Sequence, residues 1–230
     1  AGAAAARTAM IVGSDPSKPI EQITAVSSKE GLPFWLSVYA DSDGLKRAKV
    51  AESVGARAIF ATVHASPDLS PDKQLYKKGG MQVDWRRIEM FRKSIAVPVV
   101  LKGIVSTVDA SRALESGMDG IVVSNFGGLL GGNTTAPVTE LKAITTLVDG
   151  KIPVLVDGSF RRATDLLAAL ILGARGILLA RPIMWALSAY GVEGVKTLIK
   201  MLQTDLARCF AMLGASNIDS LEKKHLRIHR

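Results

Sequence analysis

Three segments of the chain repeat one pattern, in which an Ala/Leu-rich helix ends at a Gly and a short apolar strand follows. They are residues 51–60, 113–122 and 169–178. Gly takes the left-handed conformation that ends a helix at little cost, so the chain can turn directly into a strand. In a second pattern, at residues 95–103 and 150–158, Pro precedes an apolar run. Pro is tolerated at a first strand position, and the run behind it is typical of a strand buried on both faces.

These patterns predict seven strands with helices between them. The strands are expected near residues 9–13, 34–39, 59–64, 99–103, 121–125, 154–157 and 177–181, and two of the helices at 107–116 and 163–172. Alternating elements with buried strands indicate a parallel α/β sheet, either a (β/α)₈ barrel or a doubly wound sheet. No G-x-G-x-x-G opens a helix, whereas polar residues follow successive strands, which favours the barrel.

The length and composition indicate one domain, residues 1–230, with a substantial core: 48% of the residues are hydrophobic. Because a barrel needs eight strands, we expect the eighth to precede Ala1, and residues 1–7 resemble the second half of a helix. No apolar run approaches the roughly 18 residues that span a bilayer. Cys209 is the only cysteine, which excludes a disulfide framework and a thiolate metal site. An intracellular protein is expected, and the ending Ile228-His-Arg230 is not a peroxisomal tripeptide.

The formal net charge is +8, which raises the question of a nucleic-acid partner. Lys and Arg are spread over the predicted helices without an aromatic-interleaved basic stripe, so we expect no nucleic-acid binding. The locally basic tail, residues 223–230, is interpreted as a solvated end. A small anionic ligand such as a phosphate would use only a few of these charges.

Two loops predict a phosphate site. Asp157-Gly-Ser-Phe-Arg-Arg162 and Leu178-Leu-Ala-Arg-Pro182 follow the last two predicted strands, where barrels often bind phosphate. Arginine offers a planar multi-donor head, and a helix start adds backbone N–H groups. The alternative is a surface ion pair between Asp157 and an arginine of the neighbouring loop.

Two further residues are candidates for function. Lys102 lies in an otherwise apolar strand, and a buried ammonium needs an acceptor. It either lies beside an electron-rich cofactor atom or pairs with a carboxylate at the strand mouth. His64 ends a predicted strand and is a conceivable general base, or a histidine held by a loop carbonyl. Phe126, followed by the Gly127-Gly128 and Gly131-Gly132 loop, is interpreted as a packing residue because it has no proton to exchange.

Residues 98–104, 122–129 and 156–162 together resemble the FMN-dependent 2-hydroxy-acid oxidase and dehydrogenase family, and the likeness extends to Leu226. It implies FMN at the carboxyl ends of the strands, and a histidine that takes a proton as two electrons pass to the flavin. The residues that match the family's FMN contacts are Thr62, Lys102, Ser124, Asp157, Gly158, Arg161 and Arg181. Ala180 and Ser159 stand where the family has glycines of the phosphate loops.

The substrate side departs from the family pattern. Phe126 stands at the position of the base histidine, and Leu129 at that of the arginine that binds the substrate carboxylate. Ser37 replaces a tyrosine, Trp35 a glutamine, and His64 an aspartate. The loop at residues 67–84 is shorter than the family's, and no counterpart of its second substrate arginine is found.

The resemblance therefore predicts an FMN-binding barrel whose usual oxidation of 2-hydroxy acids is lost or altered. Such a protein has either a structural or assembly role, with a protein partner or as a homo-oligomer, or a more apolar substrate. Two alternatives remain open: an active oxidoreductase with His64 as its base, and a phosphate-binding barrel without flavin. A chain that lacks its first strand could also be unstable alone, because an open barrel leaves two strand edges unpaired.

Overall fold

The computed structural model describes residues 1–14, 16–63, 83–128 and 136–226. In these ranges seven parallel strands form one curled sheet, each paired with the next along the chain. The strands are β1 Met10–Val12, β2 Phe34–Tyr39, β3 Ala58–Thr62, β4 Val99–Ile104, β5 Gly120–Val123, β6 Val154–Val156 and β7 Gly176–Ile177. The helices are α1 Gly2–Ala5, α2 Ile20–Lys29, α3 Ser42–Ser53, α4 Trp85–Lys93, α5 Thr107–Glu115, α6 Pro137–Val148, α7 Ala163–Ile171 and α8 Arg181–Leu213. This architecture matches part of a (β/α)₈ barrel, as predicted.

Side chains alternate between the two faces of the sheet and build two separate cores. The outward face packs against the helices through fully buried residues such as Leu36, Ile59 and Leu101. The inward face forms a smaller cluster around Phe60, against which Trp35 packs with ring centroids 5.6 Å apart. The inward face is the lining of the barrel, and it continues toward the carboxyl ends of the strands.

The repeated Gly after a helix has the predicted role. Gly55, Gly117 and Gly173 follow α3, α5 and α7 with φ of 95°, 68° and 101°. The position of Gly173 is also crowded, because a Cβ there would lie 2.9 Å from Cβ of Thr145 on α6.

Substitution of Gly173 by Ala therefore combines backbone strain with a steric clash. We expect Gly173→Ala to lower the free energy of unfolding by about 3 kcal/mol. Gly55→Ala is the matched control, since its φ is similar but a Cβ would meet nothing within 4 Å; about 1.5 kcal/mol is expected for it. Urea denaturation of both variants measures the difference, and equal losses would contradict the packing argument.

Several predicted element ends were wrong by a few residues. The seventh strand was predicted at residues 177–181, but β7 is Gly176–Ile177 and Arg181 begins α8. Pro182 explains the difference, because it has no N–H for a strand ladder and suits a first helical turn. The third strand ends at Thr62 and not at His64, which lies outside the described residues. The fifth ends at Val123, although the N–H of Ser124 still donates to the carbonyl of Ile104.

No helix within the described ranges combines the length and the hydropathy needed to cross a bilayer.

Candidate flavin site

A ring of polar side chains lies at the carboxyl ends of four neighbouring strands. Each member lies two residues after a residue of the inward cluster. Since side chains alternate between the two faces of a strand, the members of the ring also point inward. They are Thr62, Lys102, Ser124 and Asp157. Thr62 is 3% exposed and Ser124 is fully buried, which places polar atoms in an otherwise apolar lining. This arrangement is consistent with the expectation that the polar residues after successive strands lie together at the carboxyl ends of the strands, which we call the mouth of the barrel.

Lys102 is the centre of the ring. Its Nζ forms an ion pair with Oδ2 of Asp157 and donates to Oγ of Ser124 at 3.1 Å. The two charged side chains are only 16% and 19% exposed. Two interpretations were offered for Lys102, and the structure shows the second of them, an ion pair with a carboxylate. The alternative of a surface pair between Asp157 and an arginine was wrong, because the carboxylate that follows β6 turns inward to the lysine.

Asp157 retains an unused acceptor. Its Oδ1 is buried and accepts no hydrogen bond from any residue in the described ranges. A buried carboxylate oxygen without a donor is costly, so such a position is suited to a ligand hydroxyl. The polyhydroxylated chain of a flavin nucleotide carries donors of this kind.

Phe126 covers the ring where the resemblance places a histidine. Its aromatic ring centroid lies 5.6 Å from Nζ of Lys102, a cation–π distance. Its backbone N–H donates to Oγ of Ser124 at 3.3 Å, which ties the turn to the ring. The φ of Phe126 is 55°, a left-handed conformation that bulky residues rarely adopt. The turn thus holds an apolar face over the only lysine of the ring.

The predicted phosphate loops lie beside this ring. Gly158 has φ of 105°, and a Cβ there would lie 3.1 Å from Pro137. Arg181, the first residue of α8, has a terminal guanidinium nitrogen 3.7 Å from the position that a Cβ of Gly127 would take. Its side chain therefore reaches the turn that carries Phe126. Ala180 is the exposed N-cap residue of α8.

The two helix starts in these loops differ in their electrostatics. At α7 the carboxylate of Asp165 accepts from the backbone N–H groups of Arg161 and Arg162, at 3.0 and 2.9 Å. At α8 no side chain caps the first turn, and the first turn carries no acidic residue. Since a helix N-terminus is electropositive, the start of α8 is the one better suited to a phosphate.

Arg161 makes a contact that the sequence analysis missed. Its guanidinium lies over the indole of Trp185, 5.0 Å from the ring centroid. Trp185 follows Arg181 by four residues on α8, and this spacing places both on one helix face. That spacing is a signal that sequence reasoning could have used.

The remaining predicted residues of the substrate side are placed as follows. Leu129 and His64 lie outside the described residues. Trp35 and Ser37 lie on the inward face of β2.

Comparison with known proteins identifies the family. The model of the family described as "FMN-dependent dehydrogenase" matches residues 66–228. A peroxisomal (S)-2-hydroxyacid oxidase of Arabidopsis thaliana is 35% identical over 259 residues, covering 98% of this chain and 71% of that protein. An L-lactate oxidase of Nostoc sp. is 31% identical, with coverages of 98% and 73%.

The structural comparison agrees with the sequence comparison. A mandelate oxidase solved with benzoyl-formic acid superposes with a TM-score of 0.83 at 30% sequence identity, covering 96% of this chain and 71% of that one. A second mandelate oxidase structure, with (S)-2-phenylpropionate, gives the same TM-score at 31% identity. Both the predicted barrel and the predicted resemblance are thereby confirmed: the chain belongs to the FMN-dependent 2-hydroxy-acid oxidase family, whose cofactor is FMN.

Proposed function

We propose that the chain is an FMN-binding barrel in which base-assisted oxidation of 2-hydroxy acids is lost or strongly reduced. The observation that carries this proposal is the side chain of Phe126 over Lys102. A hydrocarbon ring occupies the position that the resemblance gives to the proton acceptor, and it cannot take a proton from a substrate hydroxyl.

The residues of the site fit FMN. Oδ1 of Asp157 is buried and lacks a hydrogen-bond donor that a ligand hydroxyl would supply, and Lys102 places a positive charge at the carboxyl ends of the strands. The uncapped start of α8 with Arg181 suits the phosphate. The full set proposed to hold the cofactor is Thr62, Lys102, Ser124, Asp157, Gly158, Arg161, Ala180 and Arg181. When bound, FMN supplies an acceptor for two electrons.

No group in the described part of the mouth replaces the missing base. Nζ of Lys102 and the carboxylate of Asp157 are turned toward each other in an ion pair, so neither faces a substrate hydroxyl as a free base. A positioned base contributes about 10²–10⁴-fold to a rate, so its loss is large. Leu129 at the position of the carboxylate-binding arginine would also remove an orienting contact. The first change disfavours removal of the substrate proton, and the second disfavours binding of a carboxylate.

An apolar mouth favours a ligand of different character. Phe126 presents hydrocarbon at the mouth and Trp35 in the inward lining below it, and the sequence has Leu129 where the family has an arginine. A neutral and more apolar substrate, or a role for the flavin-loaded barrel in an assembly with itself or with a partner, would follow from this lining. An active oxidase with His64 as its base remains the competing hypothesis, and loss of hydroxy-acid turnover in His64→Ala would support it.

A cofactor-binding experiment tests the proposed phosphate site. We expect the chain to bind FMN more tightly than riboflavin, and Arg181→Gln to weaken FMN binding about 10–100-fold, as expected for one lost charge-assisted hydrogen bond. Arg175→Gln is the matched control, since Arg175 is an exposed arginine paired with Asp219 and lies before β7, at the other end of the sheet. Equal affinity of Arg181→Gln and wild type for FMN would contradict the assignment.

A further inference from the structure

We propose that Trp185 is a positioning residue for Arg161, which it holds ready for the phosphate end of the ligand. This inference rests on the proposed function, because it assigns the means by which the same site recognises a phosphate ester. The observation is the guanidinium of Arg161 over the indole of Trp185, 5.0 Å from the centroid.

The guanidinium of Arg161 is otherwise weakly fixed. One terminal nitrogen donates to the carbonyl of the adjacent Phe160 at 2.8 Å, a contact within the same turn. The nearby carboxylate of Asp165 accepts the backbone N–H groups of the α7 start instead of the side chain. Among the described residues, no carboxylate pairs with this guanidinium.

Stacking on an indole suits a guanidinium that must still bind a ligand. Contact with the π face restricts the plane of the group, while its N–H donors point outward along its edges. Arginine has five such donors, and the carbonyl of Phe160 takes one. The others remain available for a planar, multidentate contact with phosphate oxygens.

The stack also explains an exposed tryptophan. Trp185 is 58% exposed on the first turns of α8, on the helix face that carries Arg181. Because its ring binds Arg161, the cation of the loop after β6 is brought to the helix face that carries Arg181. Two guanidinium groups directed to one helix face, with no carboxylate paired to either among the described residues, favour a dianion, and a phosphate monoester is one.

The test compares two ligands that differ only in the phosphate. We expect Trp185→Leu to weaken FMN binding about two- to fivefold, the equivalent of an exposed cation–π contact, and to leave riboflavin binding unchanged. Trp185→Phe should restore most of the FMN affinity, because a benzene ring can still stack. Trp85→Leu removes a similar stack, with Arg112 at 5.8 Å, and should not alter the ratio of FMN to riboflavin affinity.

A second readout does not depend on flavin. The part of the tryptophan emission that is lost in Trp185→Phe should change when inorganic phosphate is added to wild type, and should not change in Arg161→Gln. Equal weakening of FMN and riboflavin in Trp185→Leu, or an emission insensitive to phosphate, would overturn the inference and leave a purely structural stack. If wild type itself binds FMN no more tightly than riboflavin yet shows the emission change, the proposed flavin function fails and the phosphate contact stands.

Discussion

Replacement of Phe126 by His is expected to increase the rate at which 2-hydroxy acids reduce the bound flavin by about 10²–10⁴-fold. The imidazole would lie over Lys102, where it could accept the proton of the substrate hydroxyl, which the phenyl ring cannot do. The backbone accommodates the change, because φ of 55° at this position is more favourable for His than for Phe. Anaerobic stopped-flow absorbance of the FMN-loaded variant, mixed with glycolate or (S)-lactate, measures the rate.

Phe126→Leu is the control, since it alters the ring without adding a base and should leave the rate at the wild-type level. Adding Leu129→Arg to Phe126→His should lower the substrate concentration needed for half-maximal reduction, through a new contact with the carboxylate. A variant with His at position 126 that binds FMN and reduces it no faster than wild type would show that something other than the missing base blocks the reaction.

Replacement of Lys102 by Met is expected to lower the free energy of unfolding by about 3 kcal/mol and to abolish FMN binding. The loss of stability arises because the carboxylate of Asp157, 19% exposed, would keep its burial and lose its counter-ion. The buried Oγ of Ser124 would lose a donor at the same time. Urea denaturation gives the change in stability, and FMN titration gives the change in binding.

The matched variant is Lys102→Met combined with Asp157→Asn, which removes both charges of the pair. It should recover a large part of the lost stability, because contacting residues of one ion pair are not additive. FMN binding should stay absent, since both proposed cofactor contacts are gone. Losses that add up in the double variant would contradict the account of Lys102 and Asp157 as an interior pair.

The strands, Lys102 and Asp157 were predictable from local patterns, whereas Thr62 and Ser124 of the ring were assigned only through the resemblance to the family. Alternation along a strand places Lys102 two residues after Val100 and Asp157 two residues after Leu155, on the inward face. The pairing of these two residues was not predictable, since they lie 55 positions apart and meet only through the order of the strands. The stack of Arg161 on Trp185 was missed for a related reason, because it joins the loop before α7 to the first turns of α8.

The end of the last strand shows a different limit. Apolar residues continue through Leu179, so a hydrophobic run alone predicts a longer strand than Gly176–Ile177. The start of α8 decides the boundary, since Pro182 and the helix that follows require the chain to leave the sheet. The consequence is functional, because this early turn places Arg181 at a helix N-terminus.

The central claim is a retained cofactor site without the family's base, and one experiment tests it directly. The purified chain is titrated with FMN, its absorption spectrum is recorded, and 2-hydroxy acids are added without oxygen. We expect FMN to bind and its absorption bands to stay unbleached with glycolate, (S)-lactate and (S)-mandelate. Bleaching by any of these acids would contradict the claim that the oxidation is lost, and a failure to bind FMN would contradict the claim that the site is retained.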